Sequence, residues 1–133
     1  MSKTADLQND VCRISTGNAT TVISTTPLTV GIGLGSAAAT ELVVGTSPGY
    51  ARVAAAAQFG TDASAGSQSN DGAVTFPQAT GNWLSVTQVQ FWDNTTAGTG
   101  TMMREATLTN SPVTVNDTDT AEFAIGDLTV TET

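Results

Sequence analysis

The chain has 133 residues, with 12 acidic side chains against four basic ones (Lys3, Arg13, Arg52 and Arg104), a formal charge of −8 and no histidine. A surface of that sign repels nucleic acid and anionic headgroups, and four scattered cations cannot track a phosphate backbone, so neither nucleic acid nor membrane is an expected partner. Without histidine the usual general base and the commonest transition-metal ligand are missing, and the chain reads as non-enzymatic and free of cofactors.

The length suits one domain. Charged residues are only 12% of the chain, and Thr, Ala, Gly and Ser fill most remaining polar and small positions, a mixture that favours strands and turns. The single cysteine, Cys12, cannot close a disulfide within the chain. No apolar secretory core follows Met1, and no run approaches a membrane span, so synthesis in the cytoplasm is expected. The Asn-x-Ser/Thr matches at Asn18, Asn94 and Asn116 are chance matches in a Thr-rich sequence.

In chain order, Leu7, Val11 and Ile14 recur at helical spacing and predict a short amphipathic helix from Asp6 to Ile14, ended by Gly17 and Asn18. Runs of strand length follow at Thr21 to Ser24, Leu28 to Leu34, Ala51 to Phe59, Ala73 to Phe76, Leu84 to Trp92, Met102 to Thr109, Thr120 to Ile125 and Leu128 to Thr131. Turn clusters separate them at Gly45 to Gly49, Ser67 to Gly72 and Asn94 to Gly100. No helix of crossover length divides consecutive strands, which excludes parallel βαβ units and leaves an antiparallel solution.

Two runs change parity. Leu84 and Val86 share one face and Val89 and Phe91 the other, so a bulge near Thr87 and Gln88 is expected to turn all four inward. Ala121, Phe123 and Ile125 alternate until Gly126-Asp127, read as a turn or second bulge before Leu128 and Val130. Phe76, Trp83, Phe91, Trp92 and Phe123 are expected to dominate the core. The alanines at 37–39 and 54–57 bury little area each and predict support from neighbouring copies.

Three segments invite chemical readings. Gly31-Ile32-Gly33-Leu34-Gly35 resembles part of a dinucleotide loop, but the spacing is wrong and no helix follows; glycines that admit a close neighbour are the expected role. Asn116-Asp117-Thr118-Asp119 groups oxygen donors, with Asp117 and Asp119 as weak cation ligands, yet it lacks the glycine and distal glutamate of a calcium loop. Asp93 beside Trp92 is the best candidate for a glycosidase carboxylate, and opening the following turn is its expected job.

Gly49-Tyr50-Ala51-Arg52-Val53 resembles a strand of a family of short phage virion proteins described as tail-fibre-like. The resemblance continues through Gly72-Ala73-Val74-Thr75-Phe76-Pro77-Gln78-Ala79-Thr80, Trp83-Leu84-Ser85-Val86-Thr87, Trp92-Asp93, Leu108-Thr109, Val115-Asn116-Asp117-Thr118 and Gly126-Asp127-Leu128-Thr129-Val130. It runs in consistent order from about Leu28 to the end, departing at Gln88 and at Met102-Met103-Arg104-Glu105. It implies a virion structural role.

The expected fold is an all-β, jelly-roll-like antiparallel sandwich of about eight strands over residues 21–133, preceded by a helix or arm over residues 1–20. The chain shows neither heptads nor β-repeats to form a shaft. A capsid decoration protein on the outer shell, bridging the major capsid protein as a homotrimer, is therefore the first expectation. A tail-fibre tip or adhesin for a host-surface glycan or protein is the alternative, using the loops from Gly45 to Tyr50 and Asp93 to Thr101. Candidate interface residues are Leu7, Val11, Ile14, Tyr50, Arg52, Trp92, Met102 and Arg104.

Overall fold

A computed structural model describes residues 2–3, 29–60 and 66–131. The expected helix from Asp6 to Ile14 and the strand from Thr21 to Ser24 lie outside these residues. The described chain is all-β and antiparallel: β1 (Ser2–Lys3), β2 (Gly31–Ala37), β3 (Thr40–Glu41), β4 (Val53–Ala54), β5 (Ser67–Ser69), β6 (Val74–Thr75), β7 (Gln88–Trp92), β8 (Met102–Thr107), β9 (Glu122–Phe123) and β10 (Thr129–Thr131), with a single 3-10 turn at Ala55–Ala57.

The main sheet has the order β1-β8-β7-β2-β3, and β4 pairs with the end of β2 that β3 leaves uncovered. Two ribbons, β5 with β10 and β6 with β9, complete the structure. At the centre of the sheet Ile32 stands opposite Phe91 and Leu34 opposite Val89, while Gly31, Gly33 and Gly35 stand opposite Trp92, Gln90 and Gln88. Because strand side chains alternate, this register puts one apolar and one glycine-and-glutamine face on the same pair of strands.

The apolar face packs into one core with the ribbons. Ile32, Leu34, Val89 and Phe91 join Val74, Phe76, Trp83, Val86, Val115 and Leu128, all buried, with Phe123 and Val130 packed against them. Edge-on and stacked aromatic contacts thread this core, from Trp83 to Tyr50 (5.7 Å), Tyr50 to Phe76 (6.4 Å) and Phe76 to Phe123 (6.3 Å). Centroid separations of this size are those aromatic pairs prefer.

Several expectations are corrected. Leu84 is exposed, and Trp83 takes the inward place instead, its backbone N–H donating to Val115 and its ring N–H to the Pro48 carbonyl at 2.7 Å. The parity change itself falls where it is expected, between an isolated bridge of Val86 with Val113 and the start of β7 at Gln88, and a further register shift within the β7–β8 pair lies between Phe91 and Trp92. Ile125 is exposed, because it sits in the turn through Gly126, whose φ of +87° suits glycine. The run from Ala51 to Phe59 yields only the short β4 before its alanines coil into the 3-10 turn. Three strands fall outside the expected runs: β1 lies in the stretch expected as a helix or arm, β3 is too short to show a period, and β5 lies in a Ser-rich stretch that reads as a turn.

Candidate functional site

The glycine face of β2 is covered by a buried polar cluster. Arg52 donates from Nε to Oε1 of Glu41 at 2.6 Å and from Nη2 to Oε2 at 2.7 Å, and the two side chains are 0% and 5% exposed. The Tyr50 hydroxyl donates to Glu41 Oε1 at 2.8 Å and accepts the backbone N–H of Leu34 at 3.0 Å. The Arg52 guanidinium lies 4.2 Å from the centroid of the Trp92 ring, a cation–π contact. Trp92 in turn donates its ring N–H to Gln90.

The glycines make this layer possible. A Cβ at Gly33 would stand 2.8 Å from the Tyr50 hydroxyl and 3.0 Å from Glu41 Oε1, and one at Gly31 would meet the Asn94 carbonyl oxygen at 2.4 Å. Only glycine leaves room for that approach.

The cluster joins the two loops singled out from the sequence. From Arg52, Nη1 donates to the carbonyls of Asn94 (2.6 Å) and Thr99 (2.9 Å), while Glu41 Oε2 accepts the N–H of Gly98 at 3.0 Å. Asp93 closes the same loop, its carboxylate accepting the N–H of Thr101 at 2.6 Å and its own N–H donating to the Thr101 carbonyl. Asn94 adds an Asx turn to Thr96. On the other side, Tyr50 ends the loop from Val43, and Pro48 accepts from both Thr80 and Trp83. The loops are thus fixed in advance, which reduces the ordering cost of any partner they meet.

Electrostatics follow from the geometry. Burial pulls the Glu41 carboxyl upward, but the hydrogen bonds from Arg52, Gly98 and Tyr50 and the charge of Arg52 outweigh it, so its pKa lies below the usual carboxylate value. Burial, together with the carboxylate of Glu41, raises the Tyr50 phenol, which stays protonated. Burial lowers the pKa of Arg104.

A cleft opens on another part of the surface, between the end of β8 and the ribbons. One recess of about 510 Å³ is walled by Val89, Leu108 and Leu128 and edged by Asn110, Glu122 and Asp127. A neighbouring recess of about 350 Å³ shares Leu108, Val113, Glu122 and Phe123 with it. Sequence reasoning missed this cleft, because its walls come from four segments distant in the chain.

The candidate residues are distributed as follows. Tyr50, Arg52 and Arg104 are buried within the chain, and Trp92 and Met102 are half-buried. Leu7, Val11 and Ile14 lie outside the described residues. Asp117 and Asp119 are exposed in a turn where Asp119 accepts from the N–H and side chain of Asn116, and the Asp117 N–H donates to Asn82. Among the described residues no group of three or more Cys, Asp or Glu is placed to hold a metal ion. Asp93 performs the turn-opening role.

A family model described as Podophage GP4 fiber I protein gp80 matches residues 4–131. No curated protein matches the chain.

Proposed function

The chain belongs to the Podophage GP4 fiber I protein gp80 family, and from that premise we propose that it is a non-catalytic structural module of a podophage fibre. The match across residues 4–131 carries this reading. The family's description names a fibre, which favours a tail-associated position over the outer capsid shell.

In this role the module works as a homotrimer, a closed cyclic assembly whose symmetry axis can run along that of a fibre. Its braced loops at 43–50 and 93–101 form a surface for a host-surface glycan. The fixed Asn94-to-Thr101 loop exposes Thr96 and Thr101, whose hydroxyls suit hydroxyl-rich ligands. The reading requires no bound cofactor.

Cryo-electron microscopy of intact particles, with an antibody fragment against this chain as a fiducial, tests the position. Density at fibres around the tail is expected. Density in many copies across the icosahedral head would replace this reading with capsid decoration. Purified protein is also expected to compete with whole phage for adsorption to host cells, and failure to compete at saturating concentration would remove the glycan-binding part.

A further inference from the structure

Proteins hold carboxylates, sulfates and phosphates with guanidinium or ammonium groups and with convergent backbone N–H groups. The loop from Asn94 to Thr101 directs both at its own acids. The N–H of Gly98 donates to the Glu41 carboxylate at 3.0 Å and that of Thr101 to Asp93 at 2.6 Å, while those of Thr96 and Thr99 are taken by the Asn94 side chain and the Thr96 carbonyl. The Arg52 guanidinium is out of solvent, divided between the Glu41 carboxylate and the carbonyls of Asn94 and Thr99. Residues 42–51 and 94–103 contain no charged side chain. Arg104 is buried opposite Phe91, in the apolar face of the sheet. Lys3 and Arg13 are then the only other cations in a chain with a formal charge of −8.

We propose that the ligand of these loops is an uncharged glycan, a polysaccharide recognised through its hydroxyls and free of carboxylate, sulfate and phosphate groups. The inference rests on the glycan reading of the loops and narrows it to one class. What the loops leave for a ligand is uncharged. Thr96 and Thr101 are exposed, with hydroxyls bonded to no described residue, and on the neighbouring loop Val43 and Val44 are 48% and 58% exposed. The hydroxyls and C–H faces of a sugar ring exchange their water for such groups at little cost. An anionic group brought against them loses its water with no cation in return. The net negative charge of the chain adds long-range repulsion of any acidic polymer.

Competition for adsorption tests it, using the labelled full chain, host cells, and host-envelope polysaccharide separated by anion exchange into uncharged and anionic fractions. The uncharged fraction is expected to block adsorption at a concentration about tenfold or more below that of the anionic one. Raising sodium chloride from about 50 to about 500 mM, which screens charge, is expected to leave adsorption unchanged or faster. Block by the anionic fraction at an equal or lower concentration, or a tenfold loss of adsorption in high salt, overturns the proposal. The variant Lys3→Gln/Arg13→Gln removes the two remaining cations and should adsorb as wild type does; a tenfold loss in a variant that melts as wild type does also overturns it. Adsorption that neither fraction inhibits, or no adsorption at all, removes the glycan reading itself and this inference with it. That outcome is distinct from competition by the anionic fraction, which leaves the glycan reading standing.

Discussion

Arg52 and Glu41 form a two-pronged ion pair with both side chains out of solvent, and the same two residues hold three backbone groups of the loop from Asn94 to Thr99. A buried pair of this kind is weak evidence of net stabilisation, but breaking it strands one charge. Glu41→Ala or Arg52→Ala is expected to cost about 3–5 kcal/mol, against a total of about 5–15 kcal/mol for a domain. The double variant Glu41→Leu/Arg52→Met should cost less than either single change. Urea unfolding of the three variants, read from the midpoints, checks the order.

The depressed pKa of Glu41 predicts a pH dependence of definite sign. A carboxylate with a lower pKa in the folded chain than in the unfolded one contributes stability above its unfolded value and loses it as pH falls through the folded value. Its contribution should be complete at pH 7 and decline from about the ordinary value of 4.5 downward. Glu41→Gln is therefore expected to be less stable at neutral pH, with the gap to wild type closing in acid. Thermal unfolding from pH 7 to pH 2.5 checks it, and a gap that widened in acid would contradict the assignment.

How much of this was readable beforehand depends on the range of the interaction. The alternation of Gly31, Gly33 and Gly35 with Ile32 and Leu34 was legible as a strand admitting something close, since glycine at every second position has few other uses in a strand. What came close was not legible. Glu41 sits in a two-residue strand with no periodicity and reads as an ordinary solvated acid. Arg52 offers a signal: it stands two residues from Tyr50 in a run that reads as an apolar strand, in a chain with only four cations, and such a cation needs a partner if it turns inward. Leu84 failed because parity cannot reveal that its neighbour Trp83 has a carbonyl waiting at Pro48. The cleft failed because it is assembled from tertiary contacts alone.

The glycine face supplies a third prediction. Gly33→Ala places a Cβ 2.8 Å from the Tyr50 hydroxyl, 3.0 Å from Glu41 and 3.3 Å from the Trp92 ring nitrogen. Overpacking of this kind costs about 1–3 kcal/mol. Gly45 has nothing within 4 Å of a built Cβ, so Gly45→Ala should stay within about 0.5 kcal/mol of wild type. A shift in tryptophan emission is expected for Gly33→Ala and not for Gly45→Ala, because only the first disturbs Trp92. Equal stability of the two variants by chemical denaturation would show that the cluster yields without cost.

Asn70 ties the C-terminal turn to the segment before β6, and it looked from the sequence like one more turn residue. It is buried, and its amide nitrogen donates to the carbonyls of Gly72 (2.8 Å) and Ala124 (2.9 Å) while its amide oxygen accepts from the N–H groups of Gly126 (3.1 Å) and Leu128 (2.9 Å). Four hydrogen bonds converge on one side chain, and the backbone of Asn70 adds a pair with Leu128 and Gly126. Asn70→Ala removes the side-chain bonds and leaves the Leu128 N–H without that acceptor. The cost of orphaning buried groups, about 1–3 kcal/mol each, predicts a loss of roughly 3 kcal/mol. Asn70→Asp keeps the two acceptor bonds and sets a carboxylate against two carbonyl oxygens, so it should destabilise as well, and less so at low pH, where the protonated acid regains one donor. Hydrogen exchange checks the mechanism as well as the magnitude. Protection at Gly126 and Leu128 should fall first, whereas uniform loss across the sheet would mean that Asn70 acts only through global stability.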